Sequence, residues 1–146
     1  MIKQLLFCAL VASLAACQQD GDVQPNLPSL ALDVAGMYRT NVFLDPSRVA
    51  VSADKMPFAE LKTESDSTVS LVYTKLSPEK DIKEFHNVRL SRQGDVVLLK
   101  VADVNIGTLQ TDRIFTNSGM EKQGRLLRLS IFEEPNFVLY FSGAKQ

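Results

Sequence analysis

The C-terminal stretch Arg125-Leu126-Leu127-Arg128-Leu129-Ser130-Ile131-Phe132, then Glu133-Glu134-Pro135-Asn136, then Phe137-Val138-Leu139-Tyr140-Phe141, decides the fold class. Two runs rich in leucine, β-branched and aromatic residues flank a short polar segment with a proline. That is the pattern of two antiparallel strands and their turn. A four-residue loop closing a regular hairpin puts Phe132, Phe137, Leu139 and Phe141 on one face, as a core face or the wall of an apolar ligand site. Leu129, Ile131, Val138 and Tyr140 then fall on the other. A bulge or a slip of one residue exchanges the faces of one strand.

Working back along the chain, the same grammar repeats. Asn87 to Ser91 and Asp95 to Val101 form a hairpin through Arg92-Gln93-Gly94. Val96 to Leu99 is apolar on both faces, which places it centrally or under cover on two sides. Asp103 to Gln110 and Asp112 to Thr116 are weaker strands, and Asn117-Ser118-Gly119 and Gln123-Gly124 read as turns. Ser67 to Leu76 is a strand with Val69, Leu71 and Tyr73 on one face and Ser70 and Thr74 on the other. Gly36 to Leu44 reads as the first strand, closed by Asp45-Pro46-Ser47, and Arg48 to Ser52 as a second, edge strand. Ala53 to Thr63 stays ambiguous around Pro57.

One helix is expected. Ser77 suits an N-cap, Pro78 the first helical position, and Glu79 and Asp81 the positive end of the dipole. Ile82, Phe85 and His86 then share a face from Pro78 to His86. A strand from Glu84 to Leu90 is the competing reading. The sum is a mainly β domain: an antiparallel meander of about eight strands in a small barrel or sandwich, with one short helix.

The other end of the chain speaks of compartment. Met1-Ile2-Lys3-Gln4 carries one positive charge, and a short apolar run leads to small residues, as in a secretory signal. The run falls short of the roughly 20 residues that span a bilayer. It ends in Leu14-Ala15-Ala16-Cys17, which resembles the lipobox of bacterial lipoproteins. The resemblance implies cleavage between Ala16 and Cys17, a diacylglycerol thioether on Cys17 and acylation of the new amine. Two or more acyl chains hold a protein firmly to a membrane where one does not. An ordinary secreted protein cut near the same place is the alternative. In this family an aspartate directly after the cysteine favours inner-membrane retention; here that position is Gln18. In a host with two membranes the resemblance therefore implies an outer-membrane anchor, facing the periplasm by default; surface exposure and a host with a single membrane are the alternatives. Asp33-Val34-Ala35-Gly36-Met37-Tyr38 resembles the start of lipocalin-like periplasmic domains, without their usual tryptophan.

These readings divide the chain into a signal peptide (1–16), a lipidated N-terminus and flexible tether (17–31), and a β-rich domain (32–146). The tether carries Gly21, Pro25 and Pro28 and no periodicity. Its alternative is that Leu27 and Leu30 pack onto the domain. The 16 basic and 17 acidic residues of the whole chain become 15 and 17 once Lys3 leaves with the signal. Nothing basic is left over for nucleic acid, or for anionic headgroups.

Catalytic chemistry finds few candidates. Cys8 leaves with the signal and Cys17 is committed to lipid, so His86 is the single histidine and no free thiol remains. His86 reads as structural, and no nucleophile elbow or phosphate loop appears. Asp20 and Asp22 lie in the tether; Glu79, Asp81 and Glu84 alternate with Lys80 and Lys83 on a solvated face; Glu133-Glu134 is a turn. Glu60, Glu64 and Asp66 offer no spacing that selects a glycosidase pair. Arg125 and Arg128, three apart, cannot share a face of a regular strand, so Arg89, Arg113, Arg125 and Arg128 make no single anion patch. The expectation is a protein that is not an enzyme and carries no metal and no cofactor beyond the lipid. It would be an interaction or accessory module of the envelope, with a protein partner. The alternative is a lipocalin-like binder of an apolar ligand or lipid, and a third reading is an envelope hydrolase.

Overall fold

The computed structural model describes residues 29–146, apart from Glu134 and Asn136. Eight antiparallel strands form a closed barrel in simple sequential order. They are β1 (Gly36–Arg39), β2 (Phe58–Thr63), β3 (Thr68–Lys75), β4 (Asp81–Gln93), β5 (Val96–Val101), β6 (Val104–Phe115), β7 (Glu121–Glu133) and β8 (Phe137–Lys145). A one-turn helix, α1 (Leu30–Val34), precedes them. The expectation of a mainly β meander is met, with the barrel chosen over the sandwich.

The interior is occupied by side chains. Tyr38, Leu61, Val69, Leu71, Val88, Leu99, Leu109 and Leu127 are all at or below 1% exposure, and Leu129, Ile131, Leu139 and Phe141 join the same cluster. Tyr73 meets Phe141 edge to face, with ring centroids 5.7 Å apart. Period-two placement of large apolar residues on every strand fills a barrel of this size.

Helix α1 belongs to this core. Ala31 and Val34 are fully buried in it, and Leu30 packs against it. The hydroxyl of Ser29 accepts from Leu32 N at 3.2 Å, capping the turn. Leu30 and Ala31, placed in the tether by the sequence reading, thus pack onto the barrel, as the alternative for Leu30 had it. Leu27 lies outside the described residues. Five further ties hold the helix. Asp33 accepts from Arg92 of β4 at 3.0 Å and from Arg125 of β7 at 3.1 Å. Lys145 Nζ donates to the Asp33 carbonyl, Tyr38 Oη to the Val34 carbonyl, and Ala31 N to Asp66 O. Burying Val34 alone stabilises by about 1.5–3 kcal/mol.

Four local expectations are corrected. The helix from Pro78 to His86 is instead the start of β4, whose Asp81 to Phe85 pair with Lys75 to Leu71. Ile82 is exposed while Phe85 packs on the core, so the expected shared face does not form, and a bulge follows in the same strand. The register shifts between Val69 and Leu71, leaving His86 and Asn87 opposite Ser70, and Asn87 takes φ 54°. Phe85 and Val88 thereby both face inward, three residues apart, which imitates helical spacing. The strand expected to run to Leu44 stops at Arg39 because the Asn41 carboxamide accepts from the amides of Phe43 and Leu44, turning the chain. Arg48 to Ser52 is not a strand: Pro46–Arg48 is a 3-10 turn, with Asp45 accepting from Ser47 N and Arg48 Nε. Gln123-Gly124 is not a turn but part of β7. Gly124 is there because Ile114 lies across it; a Cβ at that position would collide with the Ile114 side chain.

Other readings hold with sharper limits. The two weak strands around Thr111 merge into β6. The ambiguous stretch resolves into a 3-10 turn, Ala53–Lys55, and then β2. The β4–β5 turn narrows to Gly94-Asp95, since Gln93 pairs with Val96 and Gly94 takes φ 58°.

Candidate functional sites

Two features stand out from this frame, and both lie on the outside of the barrel. The first is the β7–β8 hairpin. Its register pairs Glu133 with Phe137, Phe132 with Val138 and Ile131 with Leu139. The loop is thus one residue shorter than the sequence reading assumed, and the faces of β7 exchange relative to β8. Leu139 and Phe141 face the core as expected, but with Leu129 and Ile131 as companions. Phe132 is corrected to the outside, where it joins Val138 and Tyr140. These three are 66%, 52% and 63% exposed, and Phe132 meets Tyr140 edge to face at 5.8 Å between centroids. The Phe137 side chain, like Ala16 and Cys17, lies outside the described part.

The hairpin also has an open flank. Strand β1 is only four residues long and meets β8 at two positions, Tyr38 with Lys145 and Arg39 with Ala144. Among the described residues, β8 from Phe137 to Gly143 is paired through β7 alone. A strand edge next to exposed aromatic side chains is a template for another chain.

The second feature lies under the connection between β1 and β2. Residues 40–57 fold back over the outer face of β6, β7 and β8. Asn41 Nδ2 donates to the Phe115 carbonyl at 2.7 Å, Phe43 packs on Phe115, and Leu44 packs onto a small outer cluster of Ile114, Leu126 and Ala144. This strap leaves a pocket of about 330 Å³ between itself and the strands. Its walls include Val42, Val51, Met56, Ile114 and Phe115, with Arg39 and Lys122 also lining it.

The remaining polar candidates have structural work. Glu64 reaches the β4 bulge, accepting from Asn87 N at 2.9 Å and bonding His86 Nδ1 at 3.1 Å. His86 is exposed on β4, with Glu84 3.6 Å from its other nitrogen. Glu60 pairs with Lys62. The four strand arginines go to four different carboxylates: Arg89 to Asp103, Arg113 to Glu121, Arg125 to Asp33 and Arg128 to Asp112. The hydrogen bond from Arg128, aided by the Arg113 amide and Gln110, holds the Asp112 carboxyl below its usual range. Arg125 and Arg128 point to opposite faces, as their spacing requires. Glu79, Asp81 and Glu133 are exposed; Asp20, Asp22 and Glu134 lie outside the described residues. No group of three or more potential metal ligands occurs among the described residues. No described helix is long and apolar enough to cross a membrane.

The Phe132 contact was missed because a hairpin's register depends on its loop length, and the loop residues gave no choice between three and four. The strap pocket was missed because residues 40–57 were divided into strands that do not form.

No protein-family model, no curated protein and no solved structure matches the chain.

Proposed function

We propose that this protein is an envelope interaction module. Lipid on Cys17 tethers it to the outer membrane, and the β7–β8 hairpin presents Phe132, Val138 and Tyr140 to a protein partner. The observation that carries the reading is an apolar trio left outside a barrel whose inside is already filled. Side chains of this kind cost solubility on a monomer, and aromatic residues dominate the energetics of protein contacts. The open flank of β8 defines the partner: an extended protein segment that adds main-chain hydrogen bonds to β8 and lays apolar side chains against the trio. The expected edge at Arg48 to Ser52 plays no part in this, since it is not a strand.

The anchor rests on the lipobox resemblance at Leu14-Ala15-Ala16-Cys17 and on the Gln18 that follows it. Holding the module by acyl chains confines its search for a partner to the envelope and raises the effective concentration there. Among the described residues nothing favours a ligand inside the barrel or a hydrolytic pair of carboxylates.

One experiment tests both halves. Val138 is replaced by a photoreactive phenylalanine analogue in a diderm host, the membranes are irradiated, and the protein is weighed intact. The expected masses are the chain from Cys17 onward plus acyl groups, and that species plus one discrete protein adduct. The adduct should vanish when Phe132 and Tyr140 are changed to serine. An unacylated mass contradicts the anchor; an acylated mass with no adduct contradicts the docking face.

A further inference from the structure

We propose that the pocket beneath the 40–57 strap binds a small amphipathic anion: a carboxylate or phosphate group carried on a short apolar body. The charge pattern is the starting point. Six of the seven described arginines, Arg48, Arg89, Arg92, Arg113, Arg125 and Arg128, have a carboxylate within ion-pair distance. Arg39 has none. Its guanidinium lies 5.5 Å from the centroid of the Phe58 ring, which supports it from one side. Lys122, also on the pocket wall, has no carboxylate partner among the described residues either, and no aspartate or glutamate lines the pocket. A third cation on the wall, Lys145, is already engaged, its ammonium donating to the Asp33 carbonyl at 2.9 Å.

The walls set the rest of the ligand. Ile114, Phe115, Val42 and Met56 offer an apolar surface that a free inorganic anion does not use. The pocket's 330 Å³ falls at the small end of ligand sites. A second polar feature sits in the same wall. Thr40 is 5% exposed, and its hydroxyl is buried without a hydrogen-bond partner. Such a group carries a desolvation penalty that a small adjustment toward a bound acceptor relieves. Two cations without a carboxylate partner among the described residues, one buried hydroxyl and several apolar side chains in the wall match an anionic head on a short hydrocarbon. They do not match a cation. The site is independent of the β7–β8 docking face and of the anchor.

The test uses the chain from residue 17 to 146, produced without acylation and followed residue by residue by NMR. Hexanoate and hexyl phosphate are titrated in turn, with inorganic phosphate and hexyltrimethylammonium alongside. The account expects at least one hexyl anion to shift Thr40, Ile114, Phe115 and Lys122 saturably, leaving interior Leu99 and Leu127 unmoved. Tighter binding of hexanoate assigns a carboxylate source, and of hexyl phosphate a phosphoryl one. Arg39→Gln and Lys122→Gln should each weaken it at least threefold, and together at least tenfold. Both side chains are on the outer surface, and unchanged interior resonances verify that the variants fold. Raising salt from about 0.05 to 0.5 M should weaken binding to the unaltered chain as well, since screening lengths shrink over that range. The proposal is overturned if neither hexyl anion binds at these residues, if inorganic phosphate binds there as tightly, if the hexylammonium does so too, or if the variants bind unchanged.

Discussion

Both faces of the β7–β8 hairpin carry large apolar side chains, with opposite fates. Inward, Leu127, Leu129, Ile131, Leu139 and Phe141 lie at 4% exposure or less; outward, Phe132, Val138 and Tyr140 stay more than half exposed. The inner set is part of one continuous cluster, and the outer trio lies outside it, with Phe132 and Tyr140 in ring contact. An apolar side chain stabilises a fold only through what covers it. The difference therefore separates residues that hold the barrel together from residues available for something else.

That contrast is open to a graded attack. The largest effect is expected inside. Phe141→Ala removes a ring packed against Tyr73 and should cost about 3–5 kcal/mol in urea unfolding. A loss below about 1 kcal/mol would mean the two faces are not energetically distinct. Next comes the helix that completes the interior. Asp33→Ala leaves Arg92 and half-buried Arg125 without their shared carboxylate and should cost about 1–3 kcal/mol. Amide exchange of Leu32 to Val34 should speed up more than that of the barrel strands, because the ties lost are those of α1.

A smaller effect is set by pH. Burial pushes the phenols of Tyr38 and Tyr73 above their ordinary value of 10.0. For a group whose pKa is raised on folding, the stabilisation is complete below the unfolded value and fades as pH rises above it. Stability should therefore hold steady up to about pH 10 and then fall. Tyr38→Phe should flatten that fall while costing about 1 kcal/mol at neutral pH, through the bond lost to Val34 O. An alkaline limb identical in the variant would place the ionisation elsewhere.

How much of this was legible in the sequence follows from range. Strands β3, β7 and β8 were readable from period-two repeats over several residues and β5 from a short run apolar on both faces, and the meander followed from short turns between them. What failed was local pattern overridden by pairing. Ser77-Pro78 and the spacing of Phe85 to His86 imitate a helix, yet β3 recruits that segment, and the bulge at His86 and Asn87 is visible only in the paired register. Asn41 ends β1 through an Asx turn that any asparagine can make and few do. The docking face was half legible. Its residues were singled out, but which of them face outward turned on a single residue of loop length. The strap pocket was illegible, since it joins positions 39–57 to positions 114–146 with no periodic signal between them.

The most direct test sits on the outer face. The double variant Phe132→Ser, Tyr140→Ser is compared with the unaltered protein for its urea midpoint and for crosslinking at position 138 in membranes. The account predicts a stability change within about 0.5 kcal/mol, as for surface substitutions, together with loss of the crosslinked adduct. A destabilisation of several kcal/mol, or an adduct formed as before, would contradict the claim that this face serves a partner rather than the fold.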